Sequence, residues 1–159
     1  EERVKKIIQS GEKDKVEFKS TLRTNLFTNE FDRKIEHSVL KTLAAFLNSD
    51  GGTILIGVGD KGEISGIGRD NFQSVDKFSL HLTNLIKNHI GKELFQIVKF
   101  EILNVSDKHV ALIECAKSEK PVFLKFGQEE EFFVRNGPSS VRLGGSALVG
   151  YVERRFRKE

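Results

Sequence analysis

Three segments of the sequence carry the residues whose types and spacing could do chemistry. The first, 12–19, alternates acidic residues with lysines. The second, 51–67, is rich in glycine and places Asp60 directly after an apolar run. The third, 132–140, brings Arg135 close to an asparagine and two serines, which are donors suited to phosphate contacts. An ordinary turn, with Arg135 paired to a surface carboxylate such as Glu131, explains the third segment equally well.

Two familiar kinds of site do not fit these residues. The glycines of 57–62 lack the spacing and the final Lys-Ser/Thr of a P-loop, and they lead into a hairpin turn rather than a helix. The histidines are neither clustered nor next to a nucleophile, so no hydrolytic triad is indicated. They are His37, His81, His89 and His109.

Length and composition indicate one domain over residues 1–159. The chain contains no methionine, so Glu1 is not a natural start, and we expect these residues to be part of a longer protein. The single cysteine, Cys115, lies in an apolar stretch and is predicted to be a small buried side chain. No apolar run is long enough to span a bilayer, so we expect a cytoplasmic protein without a membrane partner.

Hydrophobic periodicity predicts an α+β fold with a mixed, mostly antiparallel sheet packed with helices. Helices are predicted near 1–10, 30–47, 75–90 and 146–159. Strands are predicted near 15–19, 53–58, 63–67, 96–104, 109–116, 122–126 and 131–135. In this interpretation Glu17 and Lys19 share the polar face of the first strand, and Asp60 follows the end of the second.

Taken together and in this order, the three segments resemble the Schlafen-type Alba-like domain. The resemblance covers nearly the whole chain, from about Glu12 to Arg142. It implies the Alba-like fold and a nucleic-acid-binding role, because this domain is described as DNA-binding in many bacterial and archaeal proteins and is the building block of the animal Schlafen core.

The resemblance also implies a site. In the animal Schlafen core, two glutamates five positions apart and an aspartate after the glycine-rich strand form a metal-assisted ribonuclease centre. The matching residues here are Glu12, Glu17 and Asp60, with Lys19 and Asp14 at neighbouring family positions. The zinc finger of the animal core has no counterpart, since one cysteine and four scattered histidines cannot build it.

Physical chemistry is consistent with this implied site. A hard cation such as Mg²⁺ or Mn²⁺ prefers carboxylate oxygens and water, and the three side chains could meet if the first two strands are neighbours. Lys19 could then steady a phosphate oxygen. The alternative for each residue alone is plainer: Glu17 could be a solvated strand residue, and Asp60 a turn former that caps its own backbone.

Three functions follow as hypotheses. The first is a metal-dependent endoribonuclease that acts on structured RNA such as transfer RNA, with Glu12, Glu17 and Asp60 as metal ligands and Lys19 as a catalytic cation. The second is a non-catalytic DNA-binding module that regulates transcription. The third is a protein-interaction scaffold.

Basic residues outside the first segment extend the predicted nucleic-acid surface. They are Arg135, Arg142, Arg154 and Arg155. The C-terminal group 154–158 has an alternative role as cations that complement a helix end. Because one copy would form only a shallow groove, and the animal core has two related lobes, we predict a homodimer.

Overall fold

The computed structural model describes residues 1–157, which contain four α-helices and two short 3₁₀ helices. The α-helices are α1 (Glu2–Ser10), α2 (Arg33–Asn48), α3 (Val75–His89) and α4 (Gly145–Phe156). The 3₁₀ helices span Ile67–Asp70 and Lys92–Gln96. No helix in this part of the chain is both long and apolar enough to cross a membrane.

Nine strands within residues 1–157 form two sheets and a separate hairpin. The strands are β1 (Val16–Lys19), β2 (Thr24–Asn25), β3 (Glu30–Phe31), β4 (Gly52–Ile56), β5 (Val98–Val105), β6 (Lys108–Cys115), β7 (Leu124–Phe126), β8 (Glu129–Asn136) and β9 (Ser139–Leu143). The central sheet has the order β1-β4-β6-β5, in which only the β1–β4 pair is parallel. The second sheet, β7-β8-β9, is antiparallel, and β2 pairs with β3 as a hairpin. The predicted α+β class with a mixed, mostly antiparallel sheet is confirmed.

The central sheet is buried on both faces, which explains why β4 and β6 are almost continuously apolar. Ile54 and Ile56 of β4 join the large core cluster that also contains the apolar faces of α2 and α3. Leu55 points the other way, into a smaller cluster with Val4 of α1. Because neighbouring side chains of a strand alternate between faces, one apolar run supplies both clusters.

The starts of α2 and α3 are set by side-chain caps. Asp32 accepts a hydrogen bond from the backbone N–H of Lys34 at 2.9 Å, and Ser74 accepts one from Lys77 at 3.1 Å. Such caps satisfy backbone donors that the first helical turn leaves free. Since Asp32 is the cap, α2 begins three residues later than the apolar periodicity predicted.

The sequence interpretation missed three strands and misassigned one. β2 and β3 are two residues long, too short to show a period, and β9 is a partly exposed strand of mostly polar sequence. The predicted strand at 63–67 was wrong: Ile64 forms only an isolated bridge with Val58. The last helix begins at Gly145 and ends at Phe156, and the remainder of its predicted span, residues 158 and 159, lies outside the described residues.

Cys115 is buried at the end of β6, as predicted. Burial raises the pKa of its thiol to about 12. A thiol with this pKa is protonated at neutral pH, so Cys115 acts as a small core side chain and not as a nucleophile.

Asn48 connects the end of α2 to the second sheet. Its side chain is fully buried, accepts a hydrogen bond from the N–H of Val122 at 2.8 Å, and donates to the carbonyls of Val122 and Phe133 at 2.8 and 2.9 Å. Its own carbonyl accepts a hydrogen bond from the Tyr151 hydroxyl at 2.6 Å, which also connects α4 to this point. One buried amide therefore binds three backbone groups, two of Val122 before β7 and one of Phe133 in β8.

We expect Asn48→Ala to lower the free energy of unfolding by about 2–4 kcal/mol, because it leaves three buried backbone groups without their partner. Urea unfolding followed by circular dichroism measures the change. Asn84→Ala, at an exposed position of α3, is the control and should shift stability by less than about 0.5 kcal/mol. Equal effects of the two substitutions would contradict the role assigned to Asn48.

Candidate functional site

The parallel pairing of β1 and β4 places the first and second chemical segments side by side. Glu17 lies opposite Ile54, and Lys19 opposite Ile56, at the end of both strands. Beyond β4, Gly57 has φ +100°, and a Cβ there would lie 2.9 Å from the backbone of Gly66. This close approach turns the chain back on itself and carries Asp60 out beside the end of β1.

Glu12, Glu17 and Asp60 lie near one another at this strand end. The Glu12 carboxylate accepts a hydrogen bond from the backbone N–H of Phe18 at 3.3 Å. The pKa of Glu12 is raised above its ordinary value, first by burial and then by the negative charge of Glu17, with a smaller contribution from Asp60. Glu12 is therefore near enough to Glu17 and Asp60 to be repelled by both.

Arg135 of β8 is the partner of Glu17, and its side chain is only 4% exposed. The guanidinium donates to four protein atoms: Glu17 Oε1 at 2.9 Å, the Asp14 carbonyl at 3.0 Å, the Lys13 carbonyl at 3.1 Å and Ser140 Oγ at 3.1 Å. It also lies 4.8 Å from the centre of the Phe46 ring. From the sequence, Arg135 is interpreted either as a phosphate contact or as the partner of a carboxylate such as Glu131. The structure shows a carboxylate pair, but the partner is Glu17 and not Glu131.

The carboxylates have the ligand chemistry that a divalent cation requires, but they are not arranged around a common point. All the donors are hard oxygen atoms, the ligand type that Mg²⁺ and Mn²⁺ prefer. However, one oxygen of Glu17 is engaged by Arg135. Among residues 1–157, no group of three Asp, Glu, His or Cys side chains is placed to hold a metal ion.

Lys19 lies on the same face of β1 as Glu17, and its ammonium donates to the Ser38 hydroxyl of α2 at 2.8 Å. Burial lowers the pKa of Lys19, while the negative charge of Glu17 opposes that shift. An ammonium has three N–H donors, so the bond to Ser38 leaves capacity for a further anionic oxygen.

Glu17, Lys19 and Asp60 line one open cleft of about 370 Å³, called the site cleft below. One wall is α2, through Ile35 and Ser38, and the opposite wall is the β2–β3 hairpin. The hairpin contributes Thr24, Asn25, Leu26 and Phe27. Sequence reasoning missed this wall, although two asparagines closely flanking an apolar pair are a turn signal that could have indicated a hairpin.

Asp70, another residue that the sequence interpretation missed, holds the hairpin in place. Its fully buried carboxylate accepts hydrogen bonds from the backbone N–H groups of Leu22, Arg23 and Thr24 at 2.7, 2.9 and 3.0 Å. The guanidinium of Arg23 lies between two aromatic rings, 3.8 Å from the centre of Phe31 and 3.6 Å from that of Phe72. These contacts fix the start of the hairpin against the 3₁₀ helix 67–70.

The other predicted basic residues are dispersed. Arg142 is half exposed and pairs with Glu129 and Glu131 at 3.0 and 3.3 Å. Arg154 is exposed on α4. Arg155 donates to three carbonyls at the end of α2 and beyond, those of Leu47, Ser49 and Ser118, and so closes the C-terminus of α2. Lys158 of the same basic group lies outside the described residues.

Comparison with known proteins supports the resemblance found in the three segments. The family model described as Schlafen, AlbA_2 matches residues 12–144, a span that contains β1 to β9 and most of the residues of the candidate site. The match to this family, predicted from the sequence alone, is confirmed.

Two solved structures share the fold at low sequence identity. The crystal structure of the DIP2311 protein from Corynebacterium diphtheriae has a TM-score of 0.66 and 18% identity, and the match covers 97% of this chain and 28% of that chain. This chain thus spans less than a third of that protein. The solution structure of the N-terminal domain of a protein from Nitrosomonas europaea, named as related to the ATP-dependent DNA helicase RecG, has a TM-score of 0.55 and 19% identity, with 90% of both chains covered.

The raised pKa of Glu12 predicts a pH-dependent stability. An acid whose pKa is higher in the folded than in the unfolded state destabilises the fold as it ionises, so stability is lost as pH rises through the raised value. Glu12→Gln removes this loss and keeps an oxygen for the Phe18 N–H. We therefore expect the variant to unfold at a higher temperature than the wild type at neutral pH, and the difference to vanish well below the ordinary value of 4.5.

Thermal unfolding across this pH range, together with a carboxyl NMR titration of Glu12, measures the effect. Glu153→Gln, at an exposed position of α4, controls for the loss of one negative charge. A Glu12 variant that is less stable than the wild type at neutral pH, together with an ordinary Glu12 pKa in the titration, would contradict the raised pKa.

Proposed function

Because the chain belongs to the Schlafen AlbA_2 family, we propose that it binds nucleic acid in the site cleft and cleaves structured RNA there, such as transfer RNA, with a divalent cation. The observation that carries the proposal is the composition of the cleft. A cation, Lys19, and the carboxylates of Glu17 and Asp60 line one open space, with Glu12 next to them. A backbone phosphate and a hard cation are the partners that such a mixture of charges suits.

Glu12, Glu17 and Asp60 would supply the ligands of the cation, and they would have to draw closer together to do so, because they are not placed to hold a metal ion as they stand. When bound, Mg²⁺ or Mn²⁺ would polarise the phosphodiester, lower the pKa of a bound water and neutralise the leaving oxygen. The cation would also oppose the burial and the negative charge of Glu17, which together raise the pKa of Glu12.

The chain's own residues would position the RNA. Lys19 is restrained by Ser38 and would donate to a phosphate oxygen from the floor of the cleft. Arg135 holds Glu17 through a short ion pair, so the carboxylate is oriented before any ligand binds. Arg142 and Arg154 would make further contacts with the RNA backbone. Arg135 and Arg155 would contribute indirectly, because their hydrogen bonds stabilise the surface on which the RNA lies.

A DNA-binding module without catalysis is the second candidate, and the Arg135–Glu17 pair favours it. Carboxylates repel a phosphate backbone, but an arginine that neutralises Glu17 reduces this cost without any metal. The Nitrosomonas europaea protein of the same fold is itself named as related to a DNA helicase, which is compatible with a DNA partner.

We expect the wild type to cleave a labelled transfer-RNA pool with Mn²⁺ or Mg²⁺ and not with a chelator. Glu17→Gln and Asp60→Asn should each lower the cleavage rate roughly 100-fold or more, because each removes a charged ligand of the metal. Asp107→Asn, at an exposed turn position with φ +62° that asparagine also adopts, is the matched control and should cleave normally.

Parallel binding measurements separate the candidates. If the protein binds nucleic acid without metal, does not cleave it, and binds equally well as Glu17→Gln and Asp60→Asn, the DNA-binding module is the correct function. Lys19→Gln should weaken binding in either case and lower the slope of log affinity against log salt by about 1. If neither RNA nor DNA binds at moderate salt, the protein-interaction scaffold is the hypothesis that remains.

We also propose that the functional unit is a homodimer, because one open cleft covers little of a folded RNA. We expect light scattering at increasing protein concentration to give twice the mass of 18.0 kDa. A clean monomer at high concentration would contradict the dimer and leave the binding proposal intact.

A further inference from the structure

Phe27 is an unusual side chain for the wall of a charged cleft. It lies at the tip of the β2–β3 hairpin and is fully exposed, with a relative exposure of 101%, and its neighbour Leu26 is 40% exposed. An isolated apolar side chain on a surface is ordinary. What distinguishes Phe27 is that it lines the same cleft as Lys19 and Asp60, on an ordered support.

The hairpin tip is held by its own hydrogen bonds. The Asn25 carboxamide oxygen accepts from the backbone N–H groups of Phe27 and Thr28 at 2.9 and 3.3 Å. Asn29 adopts φ +59°, and its N–H returns to the Asn25 carbonyl at 2.7 Å. The Asn25 amide also donates to Asp32, the cap of α2, at 3.2 Å. The ring is thus presented at a small entropic cost to binding.

The base of the hairpin is equally fixed. Asp70 accepts from three consecutive backbone N–H groups, and Arg23 is stacked between Phe31 and Phe72. The backbone of Phe27 is therefore held at a set position relative to Lys19, and only the side-chain rotamer of the exposed ring has to be selected on binding.

We propose that Phe27 stacks on an unpaired nucleobase while Lys19 contacts a neighbouring phosphate of the same strand. The inference rests on the proposed function and adds the recognition element: an exposed aromatic face next to a cation is the pairing that single-stranded nucleic acid selects. A base inside a duplex has no free face, so the cleft prefers loops, bulges and ends.

A second protein chain fits this wall less well than a base. Leu26 and Phe31 of the hairpin are also exposed, at 40% and 58%. The other cleft residues on this side are polar, namely Ser20, Thr21, Thr24 and Asn25. A stable protein interface buries about 800 Å² on each partner around an apolar centre, which this narrow wall does not offer. A single exposed ring in the same cleft as the Lys19 ammonium matches one planar base and its phosphate.

The chain contains no tryptophan, so Phe27→Trp introduces a single indole reporter at the tip. The probes are a fluorescein-labelled RNA stem-loop, the same loop made abasic, and a blunt duplex of the stem sequence. We expect the stem-loop to quench the indole fluorescence and the abasic loop and duplex to leave it unchanged. Phe27→Ala should weaken stem-loop binding roughly 5- to 100-fold, while Phe27→Tyr keeps it.

Leu80→Ala is the control, since Leu80 is 54% exposed on α3 and does not line the cleft. It should bind the stem-loop as the wild type does. Fluorescein anisotropy reports stem-loop binding independently of the indole. If the stem-loop binds but does not quench the indole of Phe27→Trp, and Phe27→Ala keeps its affinity, the stacking proposal is overturned and nucleic-acid binding stays in place. No binding by the wild type would overturn both. A dimer that Phe27→Ala converts to a monomer would assign the ring to a second copy and overturn stacking.

Discussion

The ion pair between Arg135 and Glu17 is the interaction on which the geometry of the candidate site depends. It joins β8 of the second sheet to β1 of the central sheet, and the two side chains are only 4% and 14% exposed. Removing two charges from water costs several kcal/mol per ion, and their attraction alone does not reliably offset that cost. The further bonds to two carbonyls and a serine make the arrangement favourable, because the planar guanidinium satisfies its donors in several directions at once.

One neutral and one acidic side chain serve a similar purpose elsewhere. Asn48 satisfies backbone where α2 meets the second sheet, and Asp70 satisfies three N–H groups where the chain enters the hairpin. Each binds buried or partly buried backbone groups at a junction between elements. The apolar core determines how the layers pack, whereas Asp70 fixes the hairpin wall of the site cleft and Asn48 joins α2 to the second sheet.

Much of this architecture could be predicted from the sequence. The long helices follow from an apolar period of 3.6, β1 from a period of 2, and β4 from a short apolar run between glycines, while the family match follows from three ordered motifs. The closeness of Glu12, Glu17 and Asp60 also followed, once β1 and β4 were assumed to be neighbours. The hairpin and β9 could not be predicted, because two-residue strands and polar edge strands leave no periodic signal.

The side-chain partners could not be predicted from the sequence, for a different reason. Arg135 is 118 positions from Glu17 along the chain, and nothing local in either segment indicates that they pair. Asp70 is likewise 46 to 48 positions from the N–H groups that it binds. Such contacts depend on how the two sheets and the connecting segments pack, and a single sequence does not encode that packing in its spacing.

The segment that connects β4 to α3 contributes to both sides of the cleft. Asp60 near its start lines the cleft directly, and Asp70 near its end anchors the opposite hairpin. Neither residue belongs to the central sheet, yet the segment is anchored to the core, because Val58 and Ile67 are buried. Its path therefore fixes the distance between the two sides of the cleft. An insertion or deletion within it would move Asp60 relative to the hairpin and so change the width of the cleft.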